Sequence, residues 1–129
     1  EVLLTFGSRI LKLDNQIKRK WYRFLLGRLV ATAISNTLKL SIYDSQCGCK
    51  IFEFQIAEKI FDEVFISKWL FDVEIFFRMI RLFGRSEIQN QIREIPLRAW
   101  VDAPDSRVSP LYFFSLWWDL YLISKHYKR

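Results

Sequence analysis

The chain has 129 residues, a formal net charge of +6, and is 51% hydrophobic and 17% aromatic. That is enough for one domain with a modest core, taken as residues 1–129, and too apolar and varied for a disordered or low-complexity segment. No run of roughly 18 or more apolar residues occurs, so no stretch reads as a single membrane-spanning helix.

The opening "EVLLTFGSRI" reads as strand and not as a secretory leader, and the chain is expected to be a fragment of a longer one. Residues 2–6 form a short apolar strand closed by Gly7, Ser8 and Arg9. Residues 17–40 follow a helical pattern. Trp21, Leu25, Leu29 and Ala33, with Phe24, Val30, Ile34 and Leu38, give a wide apolar face. Lys18, Arg19, Lys20, Arg23 and Arg28 crowd the start of that helix. Cations there oppose the helix macrodipole, so an anionic partner is the expected reason for keeping them.

The stretch "DSQCGCKIF", residues 44–52, holds both cysteines. A zinc site wants a second Cys or His pair, and the sole histidine, His126, stands near the far end. A disulfide between cysteines one residue apart would be strained. Cys47 and Cys49 therefore read as two buried, reduced thiols. Residues 50–54 read as a strand, 57–61 as a short helix, and 69–83 as a strong helix stopped by Gly84. Within that helix Asp72 and Glu74 lie two residues apart and cannot share a face, so only one is expected to point inward. Residues 92–100 alternate as a strand, with Pro96 marking an edge or a bulge. Residues 101–110 form a polar loop, and 111–127 a final helix dense in Trp, Tyr and Phe. This order gives an α/β or α+β class with few strands for a complete nucleotide-binding sheet.

Four islands occur in order: "GSR" at 7–9, "DSQCGCKIF" at 44–52, "KWLFDVEIF" at 68–76, and "EIPLRAW" with "DSRV" between 94 and 108. Together they resemble the C-terminal half of membrane-associated family 2 glycosyltransferases with a GT-A fold. The nearest likeness is to dolichyl-phosphate glucosyltransferases and polyprenyl-phosphate sugar transferases. Cys49 stands where that family usually has Phe. The resemblance implies an inverting transfer of a hexose from a nucleotide-sugar to a polyprenyl phosphate. It also implies that the N-terminal, nucleotide-binding half is absent from this chain. Mg²⁺ or Mn²⁺ is expected for the full-length enzyme, with its ligands outside this chain, and no metal ligand is assigned here.

A phosphate acceptor is already ionised at neutral pH, so the chemistry needs cations more than a strong base. That need makes Arg9, Arg23 and Arg28 the expected acceptor-phosphate ligands; the resemblance itself implies this for Arg9 and Arg23, and puts Ser106 and Arg107 on a loop over the donor. Arg suits this work because its fork binds oxygens in pairs. Asp44 and Glu74 are the catalytic candidates. Glu74 is expected to face the sugar. Asp44 either contacts the sugar or orders the arginines, with turn capping as the structural alternative. Trp69 and Trp100 read as core or sugar-stacking aromatics, and His126 as a surface residue at a helix end.

The helix from residue 17, with a basic start and an apolar flank, and the final helix, aromatic on most faces and ending in Lys and Arg, read as amphipathic interfacial helices. A membrane surface is thus an expected partner: the endoplasmic reticulum membrane with a cytosol-facing site in a eukaryote, or the inner membrane in a bacterium. The cations are not interleaved with aromatics as in nucleic-acid binders, so no nucleic-acid partner is expected. The alternative is a non-catalytic membrane-surface or protein-interaction module that retains part of the fold.

Overall fold

The computed structural model describes residues 1–10, 16–18, 21–101 and 110–128. In chain order the elements are β1 (Leu4–Ser8), β2 (Gln16–Lys18), α1 (Trp21–Leu38), β3 (Lys50–Phe52), α2 (Phe54–Phe61), α3 (Phe71–Phe83), α4 (Arg85–Gln91), β4 (Ile92–Pro96), β5 (Ala99–Val101) and α5 (Pro110–Tyr127). This is a small α/β arrangement with a mixed sheet.

β1 is the central strand. It pairs antiparallel with β3, Leu4 opposite Phe52, and parallel with β4, from Leu4 opposite Ile92 to Ser8 opposite Pro96. Pairing at both edges satisfies its backbone, and Leu4, Phe6 and Ser8, which alternate onto one face, are buried. Pro96 lacks an N–H and falls at the end of β4, where the ladder stops. The run expected as one strand over 92–100 therefore divides. Its second part, β5, leaves the main sheet and pairs with β2, Ile17 opposite Trp100. That pairing also takes Ile17 out of the helix expected from 17 to 40, and α1 begins at Trp21. Local periodicity does not register a partner strand about eighty residues away.

Helix ends follow local chemistry. The Glu53 carboxylate accepts from the N–H groups of Gln55 and Ile56 and starts α2 three residues earlier than expected. At the other end of α3, Gly84 adopts φ 82°, and its N–H donates to the Ile80 carbonyl. Glycine enters that region without a Cβ penalty. α4 was not anticipated; it is short and polar, and only Ile88 anchors it.

The core is built around α3. Residues 72 to 79 of this helix are all buried. Phe76 meets Phe6 of β1 edge to face at 5.3 Å. Around them pack Val30, Ile34 and Leu38 from α1, Ile56 and Ile60 from α2, and Leu116, Leu120 and Ile123 from α5. Enclosure on every side corrects the expectation for Asp72 and Glu74: both are buried, because α3 has no solvent face over that stretch.

Phe76→Ala is expected to lower the unfolding free energy by about 3–5 kcal/mol in urea titrations. Val64→Ala, at a side chain 94% exposed, should change it by less than about 0.5 kcal/mol. Similar losses for the two would show that the core is not centred on α3.

Candidate functional site

Arg9 leaves the end of β1 and enters the irregular segment between α1 and β3. There Asp44 holds it at three points. Arg9 Nε donates to Oδ2 at 2.6 Å, Nη2 donates to Oδ1 at 2.8 Å, and the Arg9 backbone N–H donates to Oδ2 at 3.1 Å. This is a paired, charge-assisted clasp of the kind only a guanidinium can make with a carboxylate. Trp100 flanks it, with the Arg9 Cζ 5.3 Å from the indole centre.

Arg28, on α1, approaches the same segment from the other side. Its Nη1 donates to the Tyr43 carbonyl at 2.7 Å, and its Cζ lies 3.6 Å from the Tyr43 ring centre. Arg9, Arg28, Asp44 and Gln46 thus converge on one cleft, whose far wall is Phe24, Gly27 and Ala31 of α1. Its space is about 30 Å³, room for water or part of an anion and not for a hexose.

The segment is fastened at two further points. Glu94, on β4, accepts from the N–H of Tyr43 at 2.8 Å and of Asp44 at 2.7 Å. Lys50, at the start of β3, donates to the Cys47 carbonyl and to Asp72 Oδ1, both at 2.6 Å. The sequence by itself assigns Glu94 no role. The only signal was its place in the fourth island, because nothing local connects residue 94 to residue 44.

Of the expected site residues, Arg9, Arg28 and Asp44 come together. Arg23 is half-buried in the first turn of α1 and does not line the cleft. Ser106 and Arg107 lie outside the described residues. Glu74, expected to face the sugar, is fully enclosed, and its oxygens accept from the N–H groups of Ser67 at 2.9 Å and Ile66 at 3.1 Å. It too lies away from the cleft lining. Trp69 is 57% exposed and leans on Tyr112 of α5 at 4.9 Å, so it is not a core residue. His126 is exposed at the end of α5, as expected.

Cys47 is buried and Cys49 exposed, which corrects the reading of two buried thiols. Burial is the main influence pushing the Cys47 thiol up, which makes it a poorer ligand and nucleophile. Among the described residues no three His, Cys, Asp or Glu side chains gather as a metal centre requires. The carboxylates of Asp44, Asp72, Glu74 and Glu94 are each engaged by a cation or a backbone N–H. The described residues therefore do not fit a divalent ion.

Comparison with curated proteins gives relatives of one kind. The chain is 30% identical over 126 residues to a dolichyl-phosphate beta-glucosyltransferase of Drosophila melanogaster, covering 96% of this chain and 36% of the relative. It is 38% identical over 69 residues to the enzyme of that name from Saccharomyces cerevisiae, covering 54% and 19%. With the Homo sapiens enzyme of that name it shares 26% identity over 113 residues, covering 87% and 33%. The chain is thus distantly homologous to part of the dolichyl-phosphate beta-glucosyltransferases, and spans about a third of the length of the Drosophila and human relatives. No family model matches it, and no solved structure matches.

Burial, partly offset by Lys50, pushes the Asp72 carboxyl above its ordinary 3.8. The folded chain therefore holds that proton more tightly than the unfolded one. The resulting stabilisation is present below the unfolded pKa and is lost as pH rises through the folded one. Relative to Asp72→Asn, wild-type stability should accordingly fall as pH climbs from 3.8 through the folded value. Urea titrations at stepped pH measure this, and parallel pH profiles would show that Asp72 is not shifted upward.

Proposed function

We propose that this chain is the acceptor-side portion of a GT-A glycosyltransferase that moves glucose from a nucleotide-sugar to a dolichyl or polyprenyl phosphate at a membrane surface. The homology supports the enzyme class. The observation that carries the placement is the cleft itself: Arg9 from the end of β1 meets Arg28 of α1 there, and α1 presents Trp21, Leu25 and Leu29 to solvent at 75%, 53% and 61% exposure. A lipid phosphate needs both features together, a cation site for the head and an apolar helix for the chain beside it.

In this reading the apolar faces of α1 and α5 rest on the bilayer. α5 exposes Leu111, Phe114 and Trp118 and carries Lys125 in its last turn, with Lys128 just beyond it, an interfacial pattern of aromatics and cations. Among the described residues no helix is long and apolar enough to cross a membrane. Arg9 and Arg28 receive the acceptor phosphate, and Asp44 holds Arg9 in place. The phosphate oxygen forms the new bond to the anomeric carbon, and the nucleoside diphosphate leaves with the electron pair of the broken bond. The acceptor is already an anion, so positioning and charge compensation carry the catalysis. Nucleotide, metal and sugar are held elsewhere in the complete enzyme, whose membrane would be the endoplasmic reticulum in a eukaryote.

A second reading, a non-catalytic membrane-surface module, draws on the Arg9 fork being taken by Asp44 and on the small volume of the cleft. Flotation with phosphatidylcholine vesicles, with and without dolichyl phosphate, tests the acceptor site. Dolichyl phosphate should tighten wild-type binding about tenfold, the worth of one charge-assisted bond. Arg9→Gln should lose that increment and keep the basal partition, whereas Leu29→Glu should lower both. Equal wild-type binding to the two vesicles would overturn the acceptor assignment and leave the module reading.

A further inference from the structure

We infer that Glu94 is a positioning residue for the phosphate cleft, acting through the backbone of Tyr43 and Asp44; this rests on the acceptor reading above. The segment between α1 and β3 belongs to no helix or strand, so its N–H groups need partners from elsewhere. Glu94 satisfies two successive ones, with Oε2 on the Tyr43 N–H at 2.8 Å and Oε1 on the Asp44 N–H at 2.7 Å. Each oxygen serves one donor, so the carboxylate fixes the direction of the chain at the residue that grips Arg9.

The lever is short and stiff. Glu94 stands on β4 opposite Phe6 of β1, and Arg9 follows directly from the end of β1. The carboxylate of Glu94 and the guanidinium of Arg9 are therefore carried by paired strands, and the loop between them is held from both. Arg28 pulls on the Tyr43 carbonyl of the same peptide unit. With Glu94 in place, Asp44 presents both oxygens to Arg9, and the orientation of the fork is set before any anion arrives. Glutamine at 94 keeps one acceptor and turns an NH2 toward a backbone N–H, so it holds at most one of the two bonds. Aspartate keeps the charge and falls one methylene short.

This role is separable from simple electrostatics by sign. Removing a negative charge near two arginines strengthens anion binding if charge alone matters. If Glu94 positions Asp44 and Arg9, the same removal weakens it.

The test uses the 129-residue chain with farnesyl phosphate as a soluble probe and the Arg9 Nε–H resonance as a ligand-free reporter. Glu94→Gln should weaken farnesyl phosphate binding about tenfold and speed exchange of the Arg9 Nε–H by a similar factor. Glu94→Ala should go further on both. Arg93→Ala, at an exposed neighbour on β4, should leave both unchanged. Equal or tighter binding by Glu94→Gln would overturn the inference, as would an unchanged Arg9 signal. If the glutamine variant does not fold, Glu94→Asp is measured in its place; should that also fail to fold, Glu94 serves the fold and the inference falls. A wild-type chain that binds no farnesyl phosphate refutes the acceptor reading itself, and the Arg9 resonance then decides on Glu94 alone.

Discussion

A helix enclosed on every side cannot carry ionic side chains unless each finds a partner, and α3 carries three of them. Asp72, Glu74 and Arg78 are all buried. Their partners determine the surrounding structure. Arg78 donates to the carbonyls of Ile60, Glu63 and Val64, which lie at and just beyond the end of α2, and to the Tyr127 hydroxyl on α5. Glu74 accepts the N–H groups of Ile66 and Ser67. The Arg78 and Glu74 side chains approach each other only to 3.9 Å, so the backbone groups are their principal partners. An unpaired charge at such a place costs several kcal/mol, which makes these contacts obligatory once α3 is buried.

The same helix supports the cleft. Asp72 holds Lys50, and Lys50 holds the Cys47 carbonyl. The Cys47 N–H donates to the Asp44 carbonyl at 3.4 Å. Asp44 grips Arg9. A line of polar contacts thus runs from the core to the cleft, with Glu94 and Arg28 bracing its outer end. The cleft is held in shape from within the protein, which suits the acceptor role proposed for it. Gly7 belongs to this packing as well. A Cβ there would stand 2.9 Å from Leu97 Cδ2 and 3.1 Å from Cys47 Sγ, so the small residue lets β1 and the loop close together.

The aromatic wealth of the chain divides between interior and surface. Phe6, Phe76 and Phe77 are buried, whereas Trp21, Phe114 and Trp118 stand exposed on the outer helices. α1 and α5 each bury one stripe and expose another that is equally apolar. A helix that is apolar well beyond its core stripe calls for a second covering. Lipid is the covering proposed for both, given the cations at the end of α5 and the arginines along α1.

What the sequence determined by itself was local or carried by motif. The stop at Gly84 was legible because φ 82° suits glycine, and the apolar runs of the main helices and of β1 were legible from their spacing. The islands marked Arg9 and Asp44, whereas Arg28 was marked by its charge alone, and the structure brings the three side chains to one cleft. The tertiary structure decided what depends on distant partners. β5 exists because β2 pairs with it, and that pairing shortened the expected helix. Asp72 and Glu74 both turned inward because helices and sheet surround α3, a circumstance no two-residue spacing can express. Glu94 gained its place because parallel pairing of β1 with β4 brings residue 94 beside the loop at 43 and 44. Spacing along one element reports which way a side chain points, and only the packing of elements reports what it meets there.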